Sequence, residues 1–204
     1  PPFVAIDISA NDASASGVQN ASGHKDGSTS VARFKTPTGL AIDGSSNIFV
    51  ADSENYSIRQ ISSGTVSTLA GSLGVSGSSD GTGVAARFYN PSGLAVDASG
   101  NLYISDKANQ TIRKISLATG QVTTLAGTPG VIGSADGVGP LASFDSLTGI
   151  TTDGTNVYVA DVKNNSIRKI VIATGAVSTF AGQAGTSGTE DGIGTRARFT
   201  GPHG

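Results

Sequence analysis

The tripeptide Ala86-Arg87-Phe88 occurs in four related copies along the chain, and this repetition is the feature that decides the fold. The other copies are Ala32-Arg33-Phe34, Ala142-Ser143-Phe144 and Ala197-Arg198-Phe199. Their phenylalanines stand at positions 34, 88, 144 and 199, so that successive copies lie 54, 56 and 55 residues apart. A regular period of this length, with one supersecondary unit in each copy, is typical of a repeat architecture.

Each copy contains four short apolar segments that are separated by turn residues. After Phe88 these segments are 91–97, 101–106, 111–115 and 122–127. Branched and aromatic side chains dominate them, and glycine, proline, asparagine and aspartate mark their ends, as in β-strands bounded by turns. No segment shows a sustained helical period. The corresponding segments of the other copies are 37–43, 47–52, 57–61 and 66–71, and then 147–153, 156–161, 166–170 and 177–182.

A single four-stranded meander cannot bury both of its faces, so the copies are expected to pack against one another. Radial repetition of four-stranded antiparallel sheets buries those faces and protects the strand edges. The pattern therefore predicts an all-β fold, a β-propeller with one four-stranded antiparallel blade in each copy.

The repeat also resembles the NHL repeat. In the second copy the matching stations are Pro91-Ser-Gly-Leu-Ala-Val-Asp, Asn101-Leu-Tyr-Ile-Ser-Asp, Thr111-Ile-Arg-Lys-Ile and Val122-Thr-Thr-Leu-Ala-Gly. An Asp-Gly-x-Gly segment precedes Ala-x-Phe at 80–83, 136–139 and 191–194, as in the long bacterial variety of this repeat. The resemblance covers about residues 24–204, and Leu147 and Ser143 depart from the usual proline and arginine. It implies a ring of blades.

The length of the chain predicts a partial ring. Counted by the period, residues 24–78, 79–134 and 135–189 form three blades, and residues 190–204 begin another. Residues 1–23 are expected to supply outer strands of a preceding blade or a linker, since residues 3–8 alternate apolar positions where a third strand would lie. An open sector exposes apolar blade faces, which we expect further chain or another copy of the protein to cover.

Composition restricts the classes of function. The chain has 13 basic and 15 acidic residues and a net charge of −2, and its basic residues are dispersed, which argues against nucleic-acid binding. Cysteine is absent, so disulfides and thiolate metal sites are excluded. No apolar run reaches the roughly 18 residues that a membrane-spanning helix requires.

The topology of a meander predicts the face that carries function. The turn between the second and third strands and the long link to the next blade lie on the same side, which we call the long-loop face. It contains the turns 52–56, 106–110 and 161–165 and the links 71–88, 127–144 and 182–199. Binding concentrates on long loops held by a rigid scaffold. The candidate binding residues on this face are Glu54, Asn55, Tyr56, Lys107, Asn109, Gln110, Lys163, Asn164 and Asn165.

A residue that recurs once in every blade usually serves the scaffold. The recurring aspartates, each followed by an asparagine three residues later, are expected to close turns by accepting backbone N–H groups. The recurring arginines are expected to brace an aspartate or loop carbonyls. These residues are Asp52, Asp106 and Asp161, and Arg59, Arg113 and Arg168. Each Asp-Gly-x-Gly segment is interpreted as a turn rather than a calcium site, because calcium requires several oxygen ligands.

Catalysis has little support in the sequence. His24 lies in a Gly-rich link, and His203 lies where the innermost strand of the next blade would begin. A single histidine near the axis does not make a zinc site, which takes several protein ligands. We therefore expect no catalytic residue, no metal and no cofactor in this segment.

The leading hypothesis is a non-catalytic binding or scaffold propeller that contacts a protein or a surface polymer through the long-loop face. The low charged fraction of 14 %, the Ser/Thr/Gly-rich composition and the resemblance indicate an exported bacterial protein, extracellular or periplasmic. Two alternatives stay open. One is a propeller enzyme of the lyase or lactonase kind with catalytic residues outside this segment, and the other is a structural subunit of an extracellular assembly or filament.

Overall fold

Three antiparallel sheets of five strands each follow one another in the computed structural model, which describes residues 22–204. The first sheet contains β1 (Gly27–Ser28), β2 (Pro37–Ile42), β3 (Ile48–Asp52), β4 (Ser57–Ser62) and β5 (Thr65–Gly71). The second contains β6 (Gly81–Thr82), β7 (Pro91–Val96), β8 (Asn101–Asp106), β9 (Thr111–Ser116) and β10 (Gln121–Ala126). The third contains β11 (Gly137–Val138), β12 (Leu147–Thr152), β13 (Asn156–Asp161), β14 (Ser166–Val171) and β15 (Ala176–Gly182).

Four strands of each sheet form the predicted up-and-down meander. In the second sheet the strands lie side by side in the order β6, β10, β9, β8 and β7, and the other two sheets have the same arrangement. Leu102 lies opposite Ile115, which lies opposite Val122 on its other side, so that apolar side chains of neighbouring strands share one face. The all-β propeller fold of antiparallel blades is thereby confirmed.

The fifth strand of each sheet corrects the expectation of four-stranded blades. Gly81 pairs with Val122 and Thr82 with Gln121, so the Asp-Gly-x-Gly segment adds a two-residue strand to the outer edge. A single 3-10 turn, Gly83–Ala85, then leads back toward Phe88. The segment is therefore not merely a turn, because it caps the exposed edge of the outermost long strand.

The hydrophobic core lies between successive sheets. Phe88 is fully buried together with Phe49 and Ile58 of the first sheet and Leu102 of the second. Phe144 occupies the equivalent place between the second and third sheets. The repeated phenylalanine therefore anchors the link between two blades at these two positions.

The outer faces of the first and third sheets are less well covered. Leu40 is 41 % exposed, whereas its counterpart Leu94 in the second sheet is 6 % exposed. At the other end Phe180 is 52 % exposed. Phe34 and Phe199 are only partly buried, unlike Phe88 and Phe144, because each lies at an end of the described series of blades. The strand expected within residues 3–8 lies outside the described part of the chain.

The glycine of the Pro-x-Gly station is required by the close approach of neighbouring blades. A Cβ atom on Gly39 would collide with the carbonyl oxygen of Ser92, and one on Gly93 would collide with that of Thr148. The strands β2, β7 and β12 therefore lie against one another as the innermost strands. Gly149 faces the carbonyl of Gly204 in the same way, so the segment after Phe199 continues this series.

Across residues 22–204, the helical segments are single 3-10 turns, and none of them has the length and hydropathy of a transmembrane helix.

Candidate functional site

A buried arginine organises the outer part of each blade. In the second blade the Arg113 guanidinium donates to Asp106 at 3.0 Å, to Asp80 at 2.8 Å and to the carbonyl of Arg87 at 2.8 Å. It also lies 5.1 Å from the ring centroid of Phe88, within cation–π distance. The expected bracing role is confirmed in all three blades. The other two sets are Arg59 with Asp52, Asp26 and Phe34, and Arg168 with Asp161, Asp136 and Phe144.

The buried aspartate of each set is satisfied by the protein. Asp106 accepts the backbone N–H of Tyr89 at 2.8 Å and the Asn109 carboxamide at 2.8 Å, besides the Arg113 bond. Burial raises the pKa of Asp106 to about 6, and the bonds from Asn109, Tyr89 and Arg113 oppose that rise. The expectation that these aspartates close turns is confirmed. Their carboxylates serve to hold the fold together.

Three of the candidate binding residues belong to this same scaffold. Asn109 is 7 % exposed, and its Nδ2 donates to the Gly77 carbonyl at 2.7 Å as well as to Asp106. It thus ties the long link from the preceding blade to the turn. Asn55 and Asn164 make the equivalent bonds to Gly23 and Gly133.

Three further candidates connect one blade to the next. Gln110 adopts a left-handed backbone conformation with φ 58°, and its Oε1 accepts the backbone N–H of Ser146 at 2.8 Å. Asn165 accepts the N–H of Gly201 at 2.9 Å from the equivalent position. Tyr56 instead packs edge-on against Tyr89, with ring centroids 5.8 Å apart.

The remaining three candidates, Glu54, Lys107 and Lys163, gather with Gln110 around one cleft on the long-loop face. The cleft has a volume of about 330 Å³ and spans all three blades. Its other lining residues are Thr36, Thr38, Ser53, Asn90, Ser92, Ala108, Ile132, Asp145 and Ser146. The structure therefore assembles one concavity, lined by charged, polar and apolar side chains, from loops that are far apart in sequence.

The charges of the cleft are mostly paired at its edge. Lys35 lies 3.4 Å from Glu54, and Lys163 lies 3.8 Å from Asp145. These side chains are well exposed except for that of Asp145, so the pairs contribute little to stability. Groups of this kind are free to exchange their partner for a charged group on a bound molecule.

The charged cleft residues and Ile132 differ from the scaffold residues in one respect: they do not repeat. The station of Glu54 holds Ala108 in the second blade and Lys163 in the third, and that of Ile132 holds serine in the other two links. A side chain that the blade needs for folding recurs, as Arg113 and Asn109 do. The non-repeating side chains are therefore the better candidates for contact with a partner.

This comparison of stations is also the signal that sequence reasoning missed. Ile132, Tyr89 and Asp145 were not predicted, yet Ile132 and Asp145 line the cleft and Tyr89 lies beside Tyr56 at 43 % exposure. At each of these positions the equivalent residue of the other repeats has a different chemical character. The breaks in the repeat therefore mark the charged and apolar side chains of the cleft, which lie among recurring polar stations such as Thr38 and Ser92.

The described part of the chain contains no arrangement of side chains that would support metal binding. No group of three or more histidine, aspartate or glutamate side chains is close enough there to hold an ion. His24 and His203 are both exposed. The Asp-Gly-x-Gly carboxylates of Asp80 and Asp136 are directed to Arg113 and Arg168 instead.

Consecutive antiparallel blades joined through their innermost strands, with a loop-lined cleft on one face, define a β-propeller. Within that class the chain belongs to the NHL-repeat family, whose NHL repeat model matches residues 88–115. The chain is 34 % identical over 175 residues to NHL repeat-containing protein 2 of Bos taurus, an alignment covering 79 % of this chain and 23 % of the relative. It is 32 % identical over 153 residues to the Arabidopsis thaliana protein SUPPRESSOR OF QUENCHING 1, chloroplastic, covering 70 % and 14 %.

Solved structures agree with the fold. A Bacteroides thetaiotaomicron protein of unknown function superposes with a TM-score of 0.66 at 27 % identity, covering 82 % of this chain and 41 % of that one. An auxiliary nutrient binding protein from the same organism gives a TM-score of 0.67 at 17 % identity, covering 84 % and 43 %. The chain thus spans less than half the length of these structures and about a quarter or less of the sequence relatives.

Proposed function

We propose that this propeller segment is a non-catalytic scaffold that binds a protein partner on its long-loop face. The observation that carries the proposal is the cleft, where non-repeating charged side chains lie beside exposed apolar ones. Ile132 is 62 % exposed at the cleft and Val131 beside it is 46 % exposed. Protein interfaces combine such apolar contacts with a charged and polar rim.

The scaffold supports this role by holding the loops in place. The turn 106–110 is fixed by the buried bonds of Asn109, and the link 127–144 is anchored by the burial of Phe144. A preorganised surface binds with a smaller loss of conformational entropy than a mobile one. The rigid attachment of the loops therefore favours binding.

A site-specific photo-crosslinking experiment tests the proposal. A benzophenone side chain introduced at Ile132 of the full-length protein in its own host is expected to form a covalent adduct with a discrete protein partner. The matched control places the same group at Ser99, an exposed residue in the turn between β7 and β8, on the opposite face of the meander. Equal labelling at both positions, or no adduct at position 132, would contradict the proposal.

We further propose that the protein acts outside the cytoplasm of a bacterium, in the periplasm or beyond. The low charged fraction of 14 % and the resemblance to long bacterial repeats support this. Fractionation of the host cells provides the test, with the protein expected in the periplasmic fraction or the medium. Recovery of the mature protein in the cytoplasm would overturn it.

A further inference from the structure

The cleft contains one lysine whose charge the scaffold leaves uncompensated. Lys35 and Lys163 each lie within 4 Å of a carboxylate, at 3.4 Å and 3.8 Å. Lys107 also lines the cleft and is exposed, yet within residues 22–204 no acidic side chain lies in ion-pair contact with it. Its ammonium group is available to an external anion.

The repeat shows that the fold does not need this charge. The station of Lys107 holds Ser53 in the first blade and Val162 in the third. Ser53 is 6 % exposed, and its hydroxyl donates to the Pro91 carbonyl at 2.6 Å, so that this station can connect neighbouring blades without a cation. The station thus varies from blade to blade, and the lysine occurs only in the middle one of the three blades.

The surroundings of Lys107 narrow the chemistry of the anion. Hydroxyl and carboxamide groups of Thr36, Asn90 and Ser146 line the same cleft, while Ile132 provides an exposed apolar surface there. A carboxylate or a phosphate suits a lysine among such donors, because charge-assisted hydrogen bonds to either are stronger than those between neutral groups. The apolar neighbour favours a carboxylate carried on a chain with apolar side chains.

We propose that Lys107 anchors a carboxylate of an extended peptide segment of the partner, and that adjacent apolar side chains of that segment contact Ile132. This inference rests on the proposed function and names the chemistry of its partner. The carboxylate is that of an acidic side chain or of a polypeptide C-terminus, since both present the same group to the ammonium.

Amide chemical shifts of the full chain in solution provide the test. The probes are acetyl-Val-Glu-Val-amide, its glutamine counterpart, acetyl-Val-Val with a free C-terminus, maltotriose and inorganic phosphate, each at up to about 10 mM, where millimolar affinities are detectable. A carboxylate peptide is expected to shift the amides of 107–110 and 132. The two carboxylate peptides distinguish a side chain from a C-terminus as the source.

Two variants locate the charge that is responsible. Lys107→Gln is expected to weaken binding of the carboxylate peptide roughly tenfold, the factor that corresponds to about 1.4 kcal/mol. Lys25→Gln removes an exposed lysine that does not line the cleft and is expected to leave binding unchanged.

The outcomes separate this inference from the proposed function. If the glutamine peptide binds as tightly as the glutamate peptide, or if Lys107→Gln binds the carboxylate peptide with unchanged affinity, Lys107 does not anchor a carboxylate. Peptide binding at the cleft would still be supported in either case. Shifts with maltotriose or phosphate alone, or with no probe, overturn the peptide-carboxylate inference altogether. The crosslinking experiment at position 132 tests the proposed protein-binding function separately, whatever these probes show.

Discussion

Arg113 and Asp106 form an ion pair 3.0 Å long in the second blade, and both side chains are completely buried. The pair is the centre of a network that also holds the outer strand through Asp80 and the link through the carbonyl of Arg87. The corresponding arginine of each other blade also pairs with two aspartates, one on the outer strand segment and one at the turn. One arginine in each blade thus connects the outer edge, the turn and the phenylalanine anchor.

Removal of this arginine is expected to destabilise the protein strongly. Arg113→Ala leaves Asp106 buried without its cation, and breaking a buried ion pair in this way costs about 3–5 kcal/mol. Urea unfolding followed by circular dichroism measures the loss of unfolding free energy. The double variant Asp106→Asn/Arg113→Met is expected to cost less than the sum of its single changes. Additive single and double effects would show that the two groups are not coupled.

The phenylalanine between blades is expected to contribute to stability according to its burial. Phe88→Ala removes a fully buried ring and is expected to cost about 3–5 kcal/mol. Phe180→Ala, at a position 52 % exposed, serves as the matched control with a much smaller cost. A loss below roughly 1 kcal/mol for Phe88→Ala, the level of most surface changes, would refute its role as an anchor.

The close approach of the innermost strands is expected to make Gly93 intolerant of a side chain. Gly93→Ala would force a Cβ atom against the Thr148 carbonyl, and overpacking of this kind costs typically about 1–3 kcal/mol. At Gly44 an added Cβ meets open space, so Gly44→Ala is the matched control and is expected to be nearly neutral. Thermal unfolding midpoints compare the two variants, and equal midpoints would contradict the tight inter-blade contact.

The exposed turns are expected to make stability depend on acid pH. Hydrogen bonds from Asn47 lower the pKa of Asp43 below its ordinary 3.8, and those from Asn156 lower the pKa of Asp153. The ionised carboxylates therefore stabilise the fold above about pH 4, and this contribution disappears as pH falls through the lowered pKa values. Replacing both aspartates with asparagine is expected to flatten the decline in unfolding free energy below pH 4. Glu190→Gln/Asp191→Asn, which removes two negative charges at exposed positions, controls for net charge, and an equal effect of it would contradict the assignment.

The uncovered faces of the first and third blades are expected to associate. Ile42 is 63 % exposed and Phe180 is 52 % exposed, whereas their counterparts between two blades, Val96 and Leu125, are partly buried against the core. Light scattering of residues 1–204 alone is expected to show oligomers that the double variant Ile42→Thr/Phe180→Ser reduces. A monomer that binds no hydrophobic dye at any concentration would show that these faces are stable in water.

Much of this architecture could be predicted from local sequence because its signals are local. Alternating apolar side chains and turn residues at fixed intervals specify the strands, and the period near 55 residues specifies the blades. The roles of Arg113 and Asp106 could be inferred for the same reason, since a residue that recurs at one station in every blade serves what the blades share.

The tertiary structure alone decided the features that join distant residues. Gly81 and Thr82 became a strand because β10, far along the chain, provides their hydrogen-bond partners. The cleft arose because three blades place Glu54, Lys107 and Lys163 side by side, although each lies in a different repeat. A periodic sequence indicates the unit that is repeated, but the geometry between units determines which non-repeating side chains meet, because those contacts depend on the packing angle of whole sheets.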